Sequence, residues 1–479
     1  MSTNYSFYNT IIILFFIRRI NMIKPFREVY DCDSITLDIT NDCNFKCIYC
    51  FEKDKNKKYM KPKVAIDAMK LAYNDLSDSN RRFQVNFFGG EPLLNWECIK
   101  AVVDDNNKNH RLVDYGMTTN LSFIPKDFIK YVDDNNIGLL VSIDGIKHIH
   151  DKNRSNSWNQ VVKNLKILIT NGLKTCIEAR MTILPEDAKY MYDGVYFLVD
   201  VLGLESICPM PVTDVEWSEE QLNDYKENYI KLVNMYIHDL NDDNSTRNIA
   251  IKNIDDFMRQ VMEPEVSDDL LCPIGLNKWC TIDYNGDVYP CHQLPTSKDE
   301  IKNSQRIGNI YTGVDDSKVH TDRKEKQAVY QKEECKTCKA KGNCKNGCPE
   351  ENLRENGDEN KVLQSYCDLH KIMTEVIIKK QDEIINAVNI RSRYLNILKA
   401  NLEIKKYIDM IMDTADLSNT FALKIRLVHL KEMINNLGAD NIFPTFEEYF
   451  RKKSEILMTM ILYALNDKGG VKDNGKDIN

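Results

Sequence analysis

Fifteen cysteines stand in this chain of 479 residues, and most fall into two spaced groups. Near the start, Cys43-x3-Cys47-x2-Cys50 forms a compact triplet. Further on come Cys272, Cys280 and Cys291, then the block Cys335-x2-Cys338-x5-Cys344-x3-Cys348, and last Cys367. Thiolates are soft metal ligands, and this many at this spacing point to iron–sulfur chemistry. The triplet is one ligand short of a closed four-thiolate site. A cluster held by three cysteines leaves one iron able to bind a group that is not protein, and an open coordination position is where chemistry takes place.

A disulfide framework is the competing use of so many cysteines. A chain of this length, 43% apolar, builds its own core without such staples. Bare thiols and clusters imply a reducing, oxygen-poor cytoplasm. The formal charge of -8 and the lack of a dominant basic block argue against nucleic acid as the partner. An apolar run at 11–17, followed by Arg18 and Arg19, is far shorter than the roughly 20 residues that span a bilayer. It also lacks the preceding basic residues and the cleavage site of a signal peptide. An over-extended start, with Met22 as the second start, or a small docking element accounts for it; peripheral membrane contact is the minor reading.

Elements must bring these cysteines together. Short apolar runs at 35–40, 85–88, 116–119, 139–143, 175–183 and 206–210 read as strands, and 63–76, 96–104, 125–135 and 158–171 between them read as helices. This alternation predicts an α/β fold with a parallel sheet, curled or open. Chemistry in such sheets gathers at the carboxyl ends of the strands. The cysteine triplet follows the first strand, Gly89-Gly90-Glu91-Pro92 the second, Asn120 the third and Asp144 the fourth, so the pieces converge on one face. Residues 213–262 read as helical, with Leu222, Tyr225, Tyr229, Leu232, Val233, Tyr236 and Ile237 at core-facing spacing. From Cys272 to Cys367 periodicity is weak, and metal clusters rather than an apolar core would order the chain. Beyond His370 the pattern is helical again, including 421–436 and 446–465.

Cys43-Asn-Phe-Lys-Cys47-Ile-Tyr-Cys50 together with Gly89-Gly90-Glu91-Pro92 resembles the paired signature of radical S-adenosylmethionine enzymes, over about residues 35–210. A zinc site would explain three cysteines but not the Gly-Gly-Glu-Pro turn. The resemblance implies a partial (β/α)6 barrel in which Cys43, Cys47 and Cys50 hold a [4Fe-4S] cluster. Its fourth iron would chelate S-adenosyl-L-methionine, cleaved by one electron to methionine and a 5′-deoxyadenosyl radical that the protein shields. It also implies that Gly89, Gly90, Glu91 and Pro92 receive the methionine amine, that Tyr49 meets the adenine and that Ser142 lies near the ribose. Asn120 and Asp144 would end their strands on the cofactor side, and Arg180 would pair with the methionine carboxylate or form a structural ion pair. Cys272, Gly286, Cys291, Cys335, Cys338, Cys344, Cys348 and Cys367 resemble the SPASM auxiliary domain. By that resemblance Cys272, Cys280, Cys291 and Cys348 hold one auxiliary [4Fe-4S] cluster, and Cys335, Cys338, Cys344 and Cys367 a second, three clusters in all. If Cys280 is not bound, the first auxiliary cluster has an open iron. The implied organisation is an N-terminal extension at 1–34, the barrel at 35–245, the SPASM region at 246–370, a helical C-terminal domain at 371–467 and a tail at 468–479.

Enzymes with this double resemblance modify peptides or proteins and draw on a low-potential donor such as flavodoxin or ferredoxin. In the sulfatase-maturing branch an aspartate follows the cysteine at 291 as base; here it is His292, which can accept a proton near neutral pH or serve packing. The expectation is a maturase of a ribosomally made, cysteine-rich peptide that forms a thioether cross-link. Formylglycine formation in a sulfatase is the alternative, and a non-catalytic iron–sulfur or electron-transfer protein the rival of another class. The residues ahead of the first strand are too few for a winged leader-peptide-binding domain, so leader recognition falls to the C-terminal helices or to a separate protein.

Overall fold

Strand residues alternate between two environments, and that alternation sets the architecture. On the strand 83–89, Phe83, Val85 and Phe87 are buried while Gln84 and Asn86 between them are exposed. On the strand 177–183, Ile177, Ala179, Met181 and Ile183 are buried, with Glu178, Arg180 and Thr182 interleaved. Side chains of a strand point alternately to opposite faces. One face is thus sealed beneath helices, while the other carries small and polar residues around an accessible lumen. The computed structural model describes residues 23–52, 55–77, 81–241, 249–262, 272, 274, 278–315, 333–340, 344, 346–414, 430 and 433–434. The apolar run at 11–17, the tail at 468–479 and the expected helices at 421–436 and 446–465, apart from 430 and 433–434, lie outside the described residues.

In chain order the strands are β1 (Ile23–Lys24), β2 (Ser34–Thr40), β3 (Phe83–Gly89), β4 (Val113–Thr119), β5 (Ile137–Ser142), β6 (Ile177–Ile183), β7 (Ser206–Pro211) and β8 (Ala250–Ile251), then β9 (Trp279–Ile282), β10 (Asp287–Tyr289), β11 (Gly308–Asn309) and β12 (Gly313–Asp315). β2 to β7 are neighbours in sequence order and all parallel, the partial barrel of an α/β fold. β8 extends it beside β7, and β9 lies parallel to β2 on the other edge. From β9 the sheet continues antiparallel through β10, β11 and β12 to β1. Right after β3 comes a 3-10 turn at Pro92–Asn95, with Glu91 as its cap and Pro92 at its first position. Proline suits that position because its missing N–H would have no partner there.

The chain divides into two compact units, one of 1–239 with 246–381 and the other of 240–245 with 382–479. Within the first, the helix Glu219–Asn241 buries Tyr225, Tyr229, Leu232, Val233, Tyr236 and Ile237, as its spacing predicts. The region from Cys272 to Cys367 departs from expectation. It contains β9 to β12 and the helices Asp299–Gln305 and Pro349–Asn356, so sheet pairing orders it as well as any metal. Strands of two to four residues are too short to carry a readable period of two. A helix of 51 residues, Gln364–Thr414, begins just before Cys367. Among the described residues no helix is long and apolar enough to cross a membrane.

Gly145, directly after Asp144, has φ +70, and a Cβ there would lie 2.4 Å from the Cα of Gly194. Both the conformation and the contact exclude a side chain. Gly145→Ala should therefore cost about 2 kcal/mol, read as a lower urea midpoint at unchanged slope. An unchanged midpoint would mean that this close approach does not exist in solution.

Candidate active site

The cysteine triplet sits on the loop leaving β2, and the Gly-Gly-Glu-Pro turn is docked directly onto that loop. Gly90 N donates to Thr40 O at 2.7 Å and Glu91 N to Asp42 O at 2.8 Å. A Cβ on Gly89 would stand 2.2 Å from Thr40 O, and one on Gly90 2.3 Å from Asp42 O. The crowding that demands glycine at both positions comes from the chain's own backbone. Thr40 fastens the loop further, accepting from Asp42 N at 3.0 Å and donating to Lys58 O at 2.8 Å. Asn95 Nδ2 bonds the carbonyls of Ile39 and Met60 at 2.9 and 3.0 Å.

Glu91 is buried, and its carboxylate is occupied by protein donors. Oε1 accepts from Thr119 Oγ1 at 2.7 Å and Leu93 N at 3.1 Å, and Oε2 from Asn120 N at 2.7 Å. Burial raises its pKa to about 7 against these three bonds. Glu91 thus ties the end of β3 to the end of β4. Asn120 continues the tie, with Nδ2 3.0 Å from Asn44 Oδ1 and 3.8 Å from Cys43 Sγ.

At the end of β5, Asp144 is wholly buried. Tyr49 donates to its Oδ2 at 2.5 Å, Arg154 Nε lies 3.0 Å from the same oxygen, and Thr182 N donates to Oδ1 at 3.0 Å. The Arg154 guanidinium also lies over the Tyr49 ring, 5.1 Å from its centroid, and its Nη1 is 3.9 Å from Cys47 Sγ. A buried carboxylate and guanidinium are tolerable when each is paired and hydrogen bonded. The cluster therefore locks the cysteine loop, through Tyr49 and Cys47, to β5 and β6. Arg154 lies outside every motif in the sequence.

The lumen holds the other predicted residues. Ser142 of β5 is the register partner of Arg180 on β6, and Arg180 Nη1 lies 3.1 Å from Cys208 Sγ on β7. His292 lies far from β6 in sequence, yet its ring meets Phe88 at 4.7 Å, Trp279 at 5.7 Å and Phe51 at 6.3 Å between centroids. Burial first and Arg180 second lower its pKa to about 4, so the imidazole is neutral at pH 7. Asp38 and Glu52 are buried nearby in the electrostatic sense: burial and then the charge of Glu52 push Asp38 well above the carboxylate range. Neither carboxylate has a hydrogen-bond partner among the described residues. Asp38 is the one charged residue on a strand that alternates Ser34, Thr36, Asp38 and Thr40 with apolar Ile35, Leu37 and Ile39, which is the sequence signal that could have found it.

The auxiliary cysteines form two groups, with one exception. Burial, then the neighbouring thiols of Cys367, Cys335 and Cys338, raise Cys344 to about 11. Burial raises Cys291, with Cys348 and Cys272 adding to it. Cys280 does not join that second set. It lies on β9 opposite Ile35, without solvent exposure, and its sulfur neighbour is Cys32. The expectation that Cys280 completes the first auxiliary site thus departs from the structure, because β9 turns Trp279 and Cys280 to opposite faces.

The donors fit iron–sulfur ligation. Thiols that raise one another's pKa are a costly arrangement that metal charge relieves. Around the triplet, Phe45 N donates to Cys43 Sγ at 3.4 Å, and Lys55 is held charged against its burial by Cys50, Cys43 and Cys47. Among the described residues no three Cys, His, Asp or Glu side chains converge on a single metal ion. The ligands of a four-iron cluster attach to different irons and need not converge on one point.

Two outcomes follow from this geometry. Arg154→Met leaves Asp144 buried and unpaired and should cost about 3–5 kcal/mol, whereas Glu186→Gln, whose pair with Lys152 is exposed, should change stability by less than about 1 kcal/mol. Similar urea midpoints for the two variants would contradict the role given to Arg154. His150 is also buried; Asp144 N donates to its Nδ1 at 3.2 Å and Nε2 bonds Ser157 Oγ at 3.0 Å. Burial lowers its pKa to about 4. The unfolded histidine takes up its proton first, so His150 should erode stability as pH falls from about 6.5 towards 4. His150→Gln should show a shallower loss over that window, and an identical pH profile would contradict the assignment.

Residues 37–193 match the family model described as the radical SAM superfamily. A cysteine-type anaerobic sulfatase-maturating enzyme of Clostridium novyi is 26% identical over 365 residues, covering 68% of this chain and 91% of that enzyme. The radical SAM cyclopropyl synthase TigE of Paramaledivibacter caminithermalis is 30% identical over 172 residues, but the match spans 32% of this chain and 36% of that protein's length. Among solved structures, native anSMEcpe with bound AdoMet superposes with a TM-score of 0.60 at 19% identity, over 74% of this chain and 99% of that one, which establishes a shared fold. With the cysteine loop, the docked glycine turn and the parallel barrel in place, residues 37–193 carry a domain of the radical SAM superfamily, and the chain shares the fold of anSMEcpe well beyond that domain.

Proposed function

We propose that this enzyme oxidises a cysteine side chain of a peptide or protein substrate, in the manner of the anaerobic sulfatase-maturating enzymes. The observation that carries the reading is the 365-residue alignment with the Clostridium novyi enzyme, which is too long to be accounted for by the barrel alone. It favours formylglycine formation over the thioether cross-link expected from the sequence. One feature keeps the thioether reading in play: His292 stands where that branch places its aspartate base.

In this reading Cys43, Cys47 and Cys50 hold the cluster that binds S-adenosylmethionine, while the two groups of auxiliary cysteines hold two more. When bound, the cluster and cofactor supply a 5′-deoxyadenosyl radical after one electron from a flavodoxin or ferredoxin. The Gly89-to-Pro92 backbone and Asn120 orient the methionine end, with Glu91 acting through Thr119 and Asn120. Tyr49, within the cysteine loop and braced by Asp144 and Arg154, would meet the adenine. Ser142 and Arg180 line the lumen. Oxidising the cysteine would remove a Cβ hydrogen atom, carried off as 5′-deoxyadenosine, then a thiol proton and one electron, for which the auxiliary clusters would be the acceptor. Water would then replace the sulfur of the resulting thioaldehyde, which leaves as hydrogen sulfide, to give the aldehyde. The neutral imidazole of His292, half-buried against Phe88, Trp279 and Phe51, would take the proton.

The substrate test uses two peptides, one with a sulfatase-type cysteine and one rich in cysteines, each incubated anaerobically with reduced enzyme and cofactor. The expected product is an aldehyde that has lost its sulfur and reacts with a hydrazide. A product lighter by two hydrogens, with sulfur retained and the thiol closed to alkylation, would overturn this in favour of a thioether. His292→Phe should lower product formation by about a hundredfold or more while 5′-deoxyadenosine release continues. Unchanged product formation would remove His292 from the chemistry.

A further inference from the structure

Lysine is concentrated beside the cysteine loop in a chain that is acidic overall. Between residues 46 and 63 stand seven lysines against two acidic residues, while the whole chain carries a formal charge of -8. A run of lysines is ordinarily a solvated face, but three features set this one apart. Lys46, Lys57 and Lys58 are exposed, and none has an ion-pair partner among the described residues. Lys61 stands at the N-cap of the helix Pro62–Ala72, whose first turn carries no acidic residue, and only Lys63 is answered, by Asp67. A helix N-terminus is the positive end of the macrodipole, so cations there work against local stability. Last, Ile48 and Tyr59, 55% and 43% exposed, place apolar surface among the charges.

The fold brings these residues to the rim of the cysteine loop. Ile48 N donates to Asn153 O at 3.0 Å and Lys46 N to Ser155 Oγ at 2.7 Å, which holds the middle of the loop against the end of the helix Lys147–Asn153. At the root of the loop, Asn41 N donates to Lys58 O at 3.0 Å, and Thr40 and Tyr59 form an antiparallel bridge. The Tyr59 hydroxyl donates to Asp42, so the carboxylate at that root is already engaged. Tyr49 is turned inward to Asp144, whereas Ile48 before it is turned to solvent. Ile48 directly follows Cys47 and stands two residues before Cys50. Electron tunnelling falls steeply with distance, and a molecule touching Ile48 is as near to these sulfurs as the surface of the loop allows.

We propose that this rim is the docking surface for a small acidic electron-carrier protein, with Ile48 and Tyr59 as its apolar contacts and Lys46, Lys57 and Lys58 as its charges. One electron passes from the reduced carrier to the cluster of the triplet. The carrier is oxidised by one electron, the cluster is reduced by one, and no bond is made or broken. Opposite charges speed encounter and set orientation more than they raise affinity. That suits a partner that must leave after each transfer, and such contacts are among the smallest interfaces. Apolar surface among the lysines favours a folded protein over a nucleic acid. The proposal rests on the reading that the triplet holds a reducible cluster, and the experiment separates the two.

Full-length reconstituted protein is mixed with a flavodoxin and, separately, a ferredoxin, and association rates are followed at about 0.1 M salt, where charges beyond about 10 Å are screened. Lys57→Glu/Lys58→Glu should slow association about tenfold or more and flatten its salt dependence. Lys108→Glu/Lys166→Glu makes the same charge change on exposed positions towards the C-terminal ends of two barrel helices, at the far end of the barrel, and should stay within about twofold. Ile48→Ser should hasten dissociation. Dithionite, a small reductant that needs no docking, should release 5′-deoxyadenosine equally from wild type and Lys57→Glu/Lys58→Glu. Equal slowing in both lysine pairs, an unchanged rate in the rim pair, or no association of either carrier with wild type would overturn the proposal. So would a single-stranded oligonucleotide that binds the rim more tightly than both carriers. No 5′-deoxyadenosine from wild type under dithionite would overturn the radical reading and the electron step with it, while the association rates still decide whether the rim binds the carrier.

Discussion

The cofactor-binding region depends on one contact between two stretches of backbone. Gly89 and Gly90 lie so close to the carbonyls of Thr40 and Asp42 that a methyl group on either would overlap them. Two backbone hydrogen bonds close the contact. The cysteine loop and the glycine turn are therefore one structural unit, although some forty residues of helix and strand separate them in the chain. Every other contribution attaches to this unit. Glu91 carries it to the end of β4 through Thr119 and Asn120, and Asn95 carries it back to β2. A loop of this length would otherwise sample many arrangements of its three sulfurs, and ligation by a cluster needs one.

Buried charge at the barrel mouth is of two kinds. Around the triplet stand Lys55 and Arg154, cations that stabilise thiolates and an anionic cluster. Arg154 is kept charged in a buried place because Asp144 shares it, and Tyr49 is held by the same carboxylate. Close to them, Asp38, Glu52 and Asp283 are buried with few donors, and burial raises the pKa of each, with Lys55 working against it at Glu52. The Asp144 carboxylate is paired with Arg154 and accepts from Tyr49 and Thr182, which offsets its burial; the second group is costly and persists against that cost.

Much of this was legible in the sequence, and the reasons for the rest are specific. The strands β2 to β7 are long enough to show their apolar positions, and their carboxyl ends carry the motif residues, so the order of the sheet and the convergence at Cys43, Gly89, Asn120 and Asp144 could be read directly. The resemblance assigns Gly89 and Gly90 to the methionine amine, and the structure adds that both are packed on Thr40 and Asp42. Spacing cannot distinguish a glycine that makes room for a ligand from one that makes room for backbone. Arg154 was invisible because its partner lies across a turn and a helix, at no motif spacing. Cys280 was drawn into the auxiliary set by its place among the other cysteines. What excludes it is the facing of a four-residue strand, which is fixed by pairing with β2 and carries no signature of its own.

The central claim is that the cysteine loop and the glycine turn together form a site for S-adenosylmethionine on an open iron. Anaerobically reconstituted protein, reduced by a low-potential donor and frozen with and without S-adenosylmethionine, tests this most directly by paramagnetic resonance. The account predicts that the cofactor shifts the signal of the triplet's cluster, that the shift is absent in Gly90→Ala, and that 5′-deoxyadenosine and methionine are slowly released without substrate. A reduced cluster whose spectrum is indifferent to S-adenosylmethionine, with no 5′-deoxyadenosine formed, would contradict it.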